Sequence, residues 1–177
     1  MANRTASSIK EIVITREFDA PREKVWQAWT VPEMVQRWYG PEGFTAPSIR
    51  IDLRVGGKYI WSMRGPAGSP MDRLMYVAGV YTEIVPNQKL VVVEYRSDEN
   101  GERLESMGSN GPQGAFPSQM TYTVQFEELA KGKTRLSITY PEPETEAQYQ
   151  ALLKSGMVDG WNSSFNKLSQ ALTGAAG

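Results

Sequence analysis

Apolar positions along the chain change their spacing twice. Residues 9–18 alternate, with Ile12, Ile14 and Phe18 on one phase and Thr15 and Glu17 on the other, which predicts a half-buried strand. After Asp19 and Ala20, Pro21 suits the first turn of a helix, and Val25, Trp26, Ala28 and Trp29 then fall at helical spacing up to Thr30. Pro32 opens a second short helix with Met34, Val35 and Trp38 on its apolar side, and Gly40-Pro41 stops it. From Ser48 onward the spacing is close to two. Turn residues recur at Gly56-Gly57, at Gly65-Pro66 with Gly68, at Pro86-Asn87 and at Lys131-Gly132-Lys133. The pattern predicts an antiparallel meander with strands over 48–53, 58–64, 72–84, 90–97, 118–129 and 133–140. Its apolar phase reads Tyr59, Trp61, Met63, then Met120, Tyr122, Val124, Phe126, then Leu136, Ile138, Tyr140.

The last element follows Pro143. Thr145-Glu146-Ala147-Gln148 has the form of a capping box, and Leu153, Met157, Trp161, Ser164, Leu168 and Leu172 then recur at steps of three and four. That spacing predicts one long helix whose apolar stripe faces the sheet. Residues 98–117, with Gly101, Gly108, Gly111, Pro112, Gly114 and Pro117, carry no periodic pattern. A loop of that length is either a lid or disordered, and it is expected to form a mobile rim. A strand, two short helices, six strands and a long helix make an α+β order. The long helix covers the apolar face of a twisted antiparallel sheet, and the short helices plug one end. If the sheet curls round the helix, the space between them holds either side chains or one small molecule.

Composition narrows the chemistry. A chain of 177 residues is one domain, expected at 9–173 after a polar, disordered tail at 1–8. Lys+Arg 19 against Asp+Glu 20 gives a net charge of −1, with no basic cluster to hold nucleic acid or an acidic membrane. No apolar run is long enough for membrane insertion, and residues 1–8 lack the apolar stretch of a signal peptide, so a cytoplasmic location is expected. Cys 0 and His 0 remove disulfides, Cys/His zinc sites, thiol nucleophiles and an imidazole base. No metal or cofactor is implied, and no catalytic residue is assigned. Acid–base chemistry would fall to carboxylates, Tyr, Lys or Arg. Glu83, Glu94 and Arg96 lie on predicted strands, and Asp72 and Arg73 open one; charges on strands ordinarily take the solvated face. Tyr59, Tyr122 and Tyr140 could each donate a hydrogen bond to a ligand carbonyl, or to an internal partner instead. Gly132-Lys133-Thr134 looks like the end of a phosphate-binding loop, but Glu127 stands where its first glycine is needed.

What remains is aromatic and thioether surface. Trp38, Tyr39, Phe44, Tyr59, Trp61, Met63, Met120, Tyr122, Met157 and Trp161 are the candidate ligand-binding residues, suited to a flat apolar molecule and equally to ordinary core packing. Gly156, Gly160 and Ser164 recur every four residues on the last helix. They permit either close helix-to-sheet packing or room for a ligand beside Trp161.

Several of these segments carry a resemblance. Asp19-Ala20-Pro21 with Val25-Trp26 and Ala28-Trp29-Thr30, then Pro32 and Trp38-Tyr39-Gly40-Pro41, resemble the opening of the SRPBCC (START-like, helix-grip) superfamily. Within it they are similar to the branch of activator of heat shock protein 90 ATPase homologue-like proteins. Gly56-Gly57-Lys58-Tyr59, residues 79–86 and Gly160-Trp161 followed by Leu168 and Leu172 are similar to the family's later motifs, in order. Val31 departs from the acidic or amide cap often found before the proline. The resemblance implies a helix-grip fold, a curved antiparallel sheet of about seven strands around a long C-terminal helix with a hydrophobic cavity between them. The leading expectation is binding of a small hydrophobic ligand of aromatic, polyketide-like or acyl type, by a monomer or homodimer. The alternatives are a polyketide cyclase-like enzyme using cavity Tyr, Arg or carboxylate groups, and a chaperone-interaction module serving a stress response, as the branch name suggests.

Overall fold

The computed structural model describes residues 9–104 and 117–174. The tail expected at 1–8 lies outside the described residues, as do residues 105–116 of the expected rim. The elements in chain order are β1 (Ile12–Phe18), α1 (Arg22–Thr30), α2 (Pro32–Val35), β2 (Ile49–Ile51), β3 (Lys58–Arg64), β4 (Leu74–Val85), β5 (Lys89–Ser97), β6 (Met120–Ala130), β7 (Lys133–Tyr140), α3 (Glu146–Lys154) and α4 (Met157–Leu172).

The strands form one antiparallel sheet in the order β1-β7-β6-β5-β4-β3-β2. Only β1 is out of sequence: α1 and α2 carry the chain from one edge of the sheet to the other, and the rest is a meander. The apolar phase read from the sequence faces the helices. Tyr59, Trp61, Tyr122, Val124, Phe126, Leu136 and Ile138 are buried there with Val25, Trp29, Trp38, Phe165 and Leu168. Burying each such side chain is worth about 1.5–3 kcal/mol, and the aromatic contacts add to it. Trp29 is their hub, tilted against Trp38 at 4.9 Å and stacked on Trp161 at 5.6 Å. This is the α+β helix-grip architecture expected from the sequence.

The expected single C-terminal helix is two. Thr145 caps α3 by accepting from the Gln148 N–H at 3.2 Å, as its sequence suggests. The break comes at Ser155 and Gly156. Gly156 takes a left-handed φ of 80°, which glycine adopts without steric cost. The Ser155 hydroxyl donates to the Leu152 carbonyl at 2.6 Å and accepts from the Met157 N–H at 3.1 Å. Apolar spacing continues across the junction, which is why periodicity alone reads one helix.

A second, smaller cluster lies on the outer face of the sheet, where Ile60, Ala78 and Tyr95 pair across β3, β4 and β5. The chain leaving β5 folds over it. Tyr95 Oη donates to the Gly101 carbonyl at 3.1 Å, and the Arg103 guanidinium lies 4.5 Å from the centre of the Tyr95 ring. The described start of the expected rim therefore packs on the face away from α4. Among the described residues no helix is long and apolar enough to cross a membrane.

Candidate functional site

Between the concave face of the sheet and the first turns of α4 lies a cavity of about 210 Å³ with a largely apolar wall. The sheet contributes Met63, Val77, Glu94, Met120 and Tyr140, and α4 contributes Met157, Gly160, Trp161 and Ser164. Tyr39, Gly40 and Pro41, after α2, complete the lining. That loop is tied to α4 at two points. Lys167 Nζ donates to the carbonyls of Gly40 and Phe44 at 3.1 and 3.0 Å, and the Glu42 N–H donates to Ser163 Oγ at 2.8 Å. Burial lowers the Lys167 pKa. Two larger grooves, of about 520 and 500 Å³, are lined respectively by mainly charged and amide side chains and by a mixture of prolines, polar and apolar residues. The second adjoins the cavity by sharing Met120 and Tyr140.

One wall of the cavity is polar, and strand register builds it. Tyr59 on β3 pairs with Gly79 on β4, Gly79 with Glu94 on β5, and Glu94 with Met120 on β6. These four residues form one row across the inner face. A Cβ at Gly79 would meet the Cζ, Cε1 and Oη atoms of Tyr59 at 2.3–2.6 Å, so the missing side chain makes the floor over which the Tyr59 ring reaches Glu94. Tyr59 Oη donates to Glu94 Oε2. Tyr122, entering from β6, lies 2.7 Å from the Tyr59 hydroxyl and donates to the same Oε2 at 3.4 Å. Glu94 Oε1 accepts from no described residue. Tyr140 is in the reverse position: its oxygen accepts from Trp161 Nε1 at 3.0 Å, leaving its own O–H without a described acceptor.

Burial dominates the electrostatics. It pushes the Glu94 carboxyl up to about 7, against the two tyrosine hydrogen bonds that favour the charged form. Burial first, and the Glu94 charge second, raise the tyrosines Tyr39, Tyr59, Tyr122 and Tyr140, so all four stay neutral. The site can therefore hold or release one proton near neutrality at Glu94, flanked by neutral hydroxyl donors. Among the described residues no three carboxylates come together to hold a metal ion.

The ten residues singled out in the sequence separate into three groups. Tyr39, Met63, Met120, Met157 and Trp161 line the cavity. Tyr59 and Tyr122 stand behind the wall and hold Glu94. Trp38, Trp61 and Phe44 are not among the lining residues. Trp38 is fully buried, with its Nε1 donating to the Ala28 carbonyl at 2.8 Å, and Trp61 is packed against the Tyr59 ring at 4.5 Å. The Nε1 groups of Trp29 and Trp61 are buried without a described partner. Phe44 packs beside Gly40, its carbonyl accepting from Lys167. Glu94, expected on the solvated face, points inward instead. Both phases of β5 are apolar, Leu90 and Val92 on one and Val91, Val93 and Tyr95 on the other, so alternation does not reveal its side. Of the other strand charges, Glu83 pairs with Lys89 at 2.6 Å and Asp72 with Arg64 at 2.8 Å among partly or fully exposed side chains, while Arg96 shares the phase of Glu94. In the sequence Tyr140 is one of several tyrosine donors, and its place on the wall comes from its register beside β6.

Gly160 answers the question left by the glycine spacing. A Cβ there would meet only Pro41 Cγ, at an ordinary 3.9 Å, so close helix-to-sheet packing does not require it. Gly156 is the helix break and has open space round it.

Comparison with known proteins agrees with this architecture. A solution structure of a protein from Arthrobacter aurescens is 26% identical, with a TM-score of 0.74 over 97% of this chain and 94% of that one. One from Staphylococcus epidermidis is 23% identical, with a TM-score of 0.73 over 99% and 96%. The crystal structure of the AHSA1 protein from Silicibacter pomeroyi is 20% identical, with a TM-score of 0.65 over 93% and 99%. No curated protein sequence matches the chain. The profile of the family described as Activator of Hsp90 ATPase homolog 1-like protein matches residues 19–173, which takes in both short helices, the whole meander and α4, and the chain belongs to that family.

Proposed function

We propose that this protein binds a small, largely apolar molecule in the cavity beneath α4, with residues 9–173 acting as one helix-grip unit around it. The observation that carries the reading is the apolar cavity with a single carboxyl, Glu94, held in its wall by two tyrosines. Size limits the occupant. Drug-sized sites run to roughly 300–1,000 Å³, whereas an apolar cavity of about 150 Å³ already takes benzene. About 210 Å³ therefore fits a molecule built on one ring or a short branched chain. Gly160 supports the same reading, since a glycine inside a helix costs about 1 kcal/mol relative to alanine and here it keeps the cavity open.

The test is a titration with benzyl alcohol and indole, followed by thermal shift and by NMR shifts of the Trp161 and Tyr140 side chains. Saturable binding is expected, and Gly160→Leu, whose side chain grows into the cavity, abolishes it. If neither probe, nor benzylamine as a charged one of the same size, stabilises the protein or moves those signals, the reading is wrong. A second reading, acid–base catalysis on the bound molecule, is favoured by the position of Glu94 near neutrality beside two hydroxyls. Turnover of a bound carbonyl compound that is lost in Glu94→Gln would establish it.

A further inference from the structure

We propose that the preferred occupant is a small organic cation, a protonated amine on a one-ring apolar body, whose N–H group pairs with Glu94 Oε1. The inference rests on the ligand-binding reading and names the chemistry of its ligand. Three observations carry it. First, Glu94 lines the cavity, and its Oε2 is taken by Tyr59 and Tyr122 while its Oε1 accepts from no described residue. Second, every ion pair described in the protein lies between partly or fully exposed side chains, and none involves Glu94. A buried carboxylate without a counter-charge is costly, and a ligand that brings the missing cation removes that cost. Third, the remaining wall offers the rings of Tyr39, Tyr140 and Trp161, whose faces attract a cation at close range. An anion would meet the charge of Glu94, and a neutral acceptor would have to find Glu94 protonated.

The groups round Glu94 do not compete for this role. Tyr59 of β3, Tyr122 of β6, Tyr140 of β7 and Tyr39 after α2 are all neutral. Lys167 of α4 is committed to the Gly40 and Phe44 carbonyls, and Asp159, on the first turn of α4, is exposed. Arg96, two residues along β5, shares the phase of Glu94 and sits opposite Val77, but no described ion pair joins it to Glu94.

The experiment compares benzylamine, benzyl alcohol and benzoate, three molecules of one size, by calorimetric titration at pH 6 and pH 8. At pH 8 benzylamine should bind at least tenfold more tightly than benzyl alcohol, and benzoate more weakly than either. Because Glu94 ionises near pH 7 while the ammonium stays charged, benzylamine affinity should rise about tenfold from pH 6 to pH 8. Benzyl alcohol should show no such rise. In Glu94→Gln the amine preference should disappear and benzyl alcohol should still bind. Equal binding of amine and alcohol, or a preference for benzoate, overturns the inference and leaves ligand binding standing. If no probe binds at either pH, both fail. The wild-type pH comparison decides the question even if the Glu94→Gln variant does not fold.

Discussion

Replacing Glu94 by Gln isolates the electrostatic cost of a carboxyl set in an apolar wall. Its proton is held more tightly in the native protein than in the unfolded chain, because burial lifts it from the usual 4.5 to about 7. Below about pH 4.5 the group is protonated in both states and its full contribution to stability is present. Between there and pH 7 the native state carries more protons, so raising the pH takes stability away, and above pH 7 the loss is complete. At about 1.4 kcal/mol for each tenfold change in proton affinity, the full gap is about 3 kcal/mol. Part of it is lost already below pH 5, so about 2 kcal/mol of the change falls between pH 5 and pH 8. The assay is urea unfolding of wild type and variant at pH 5, 6, 7 and 8, followed by tryptophan fluorescence. Every other titrating group is common to both proteins and cancels in the difference. The stability of Glu94→Gln relative to wild type should rise by about 2 kcal/mol between pH 5 and pH 8, whatever fixed offset the amide introduces. A difference that stays flat within about 0.5 kcal/mol across that range would refute the burial of this carboxyl.

Three further substitutions test the geometry around it. Gly79→Ala puts a methyl group into the Tyr59 ring and should cost about 2–4 kcal/mol in unfolding free energy, from overpacking and from the displaced hydroxyl. In a Tyr59→Leu background the same change should cost less than about 1 kcal/mol, and equal costs in the two backgrounds would show that the ring is not what it meets. Gly160→Ala should stabilise the unliganded protein by about 0.5–1 kcal/mol in thermal unfolding while weakening benzyl alcohol binding; a destabilised variant would mean that the helix is pressed against the sheet after all. Trp161→Ala should destabilise by about 3 kcal/mol, since it removes the stack on Trp29 and the donor to Tyr140, and it should also reduce probe affinity. Retained affinity would move the binding surface away from α4.

Much of the fold is legible in residue order because most strands have one apolar phase. Leu136, Ile138 and Tyr140 alternate with polar residues and name the inner face of β7, Tyr59, Trp61 and Met63 outweigh Ile60 on β3, and the strands expected at 58–64 and 133–140 are β3 and β7 residue for residue. The site is less legible for two physical reasons. A tryptophan that lines a cavity and one that fills a core have the same chemistry, so Trp161 and Trp38 look alike until packing separates them. Glu94 is hidden by the opposite circumstance: the loop after β5 covers the outer face, that face needs apolar residues as well, and the alternation that would mark an inward carboxylate is lost. The helix break is hidden because Ser155-Gly156 interrupts the backbone but not the apolar stripe.

The clamp made by Lys167 sets how the cavity can open. Its ammonium holds the 40–44 loop against α4 through two carbonyl oxygens and sits partly out of water to do so. Any parting of the loop from the helix returns the ammonium to solvent. Three hydrogen bonds are given up, the one from Glu42 to Ser163 included, while hydration of the ammonium is regained, and these changes act against each other, so the loop is held as by a counterweighted clasp.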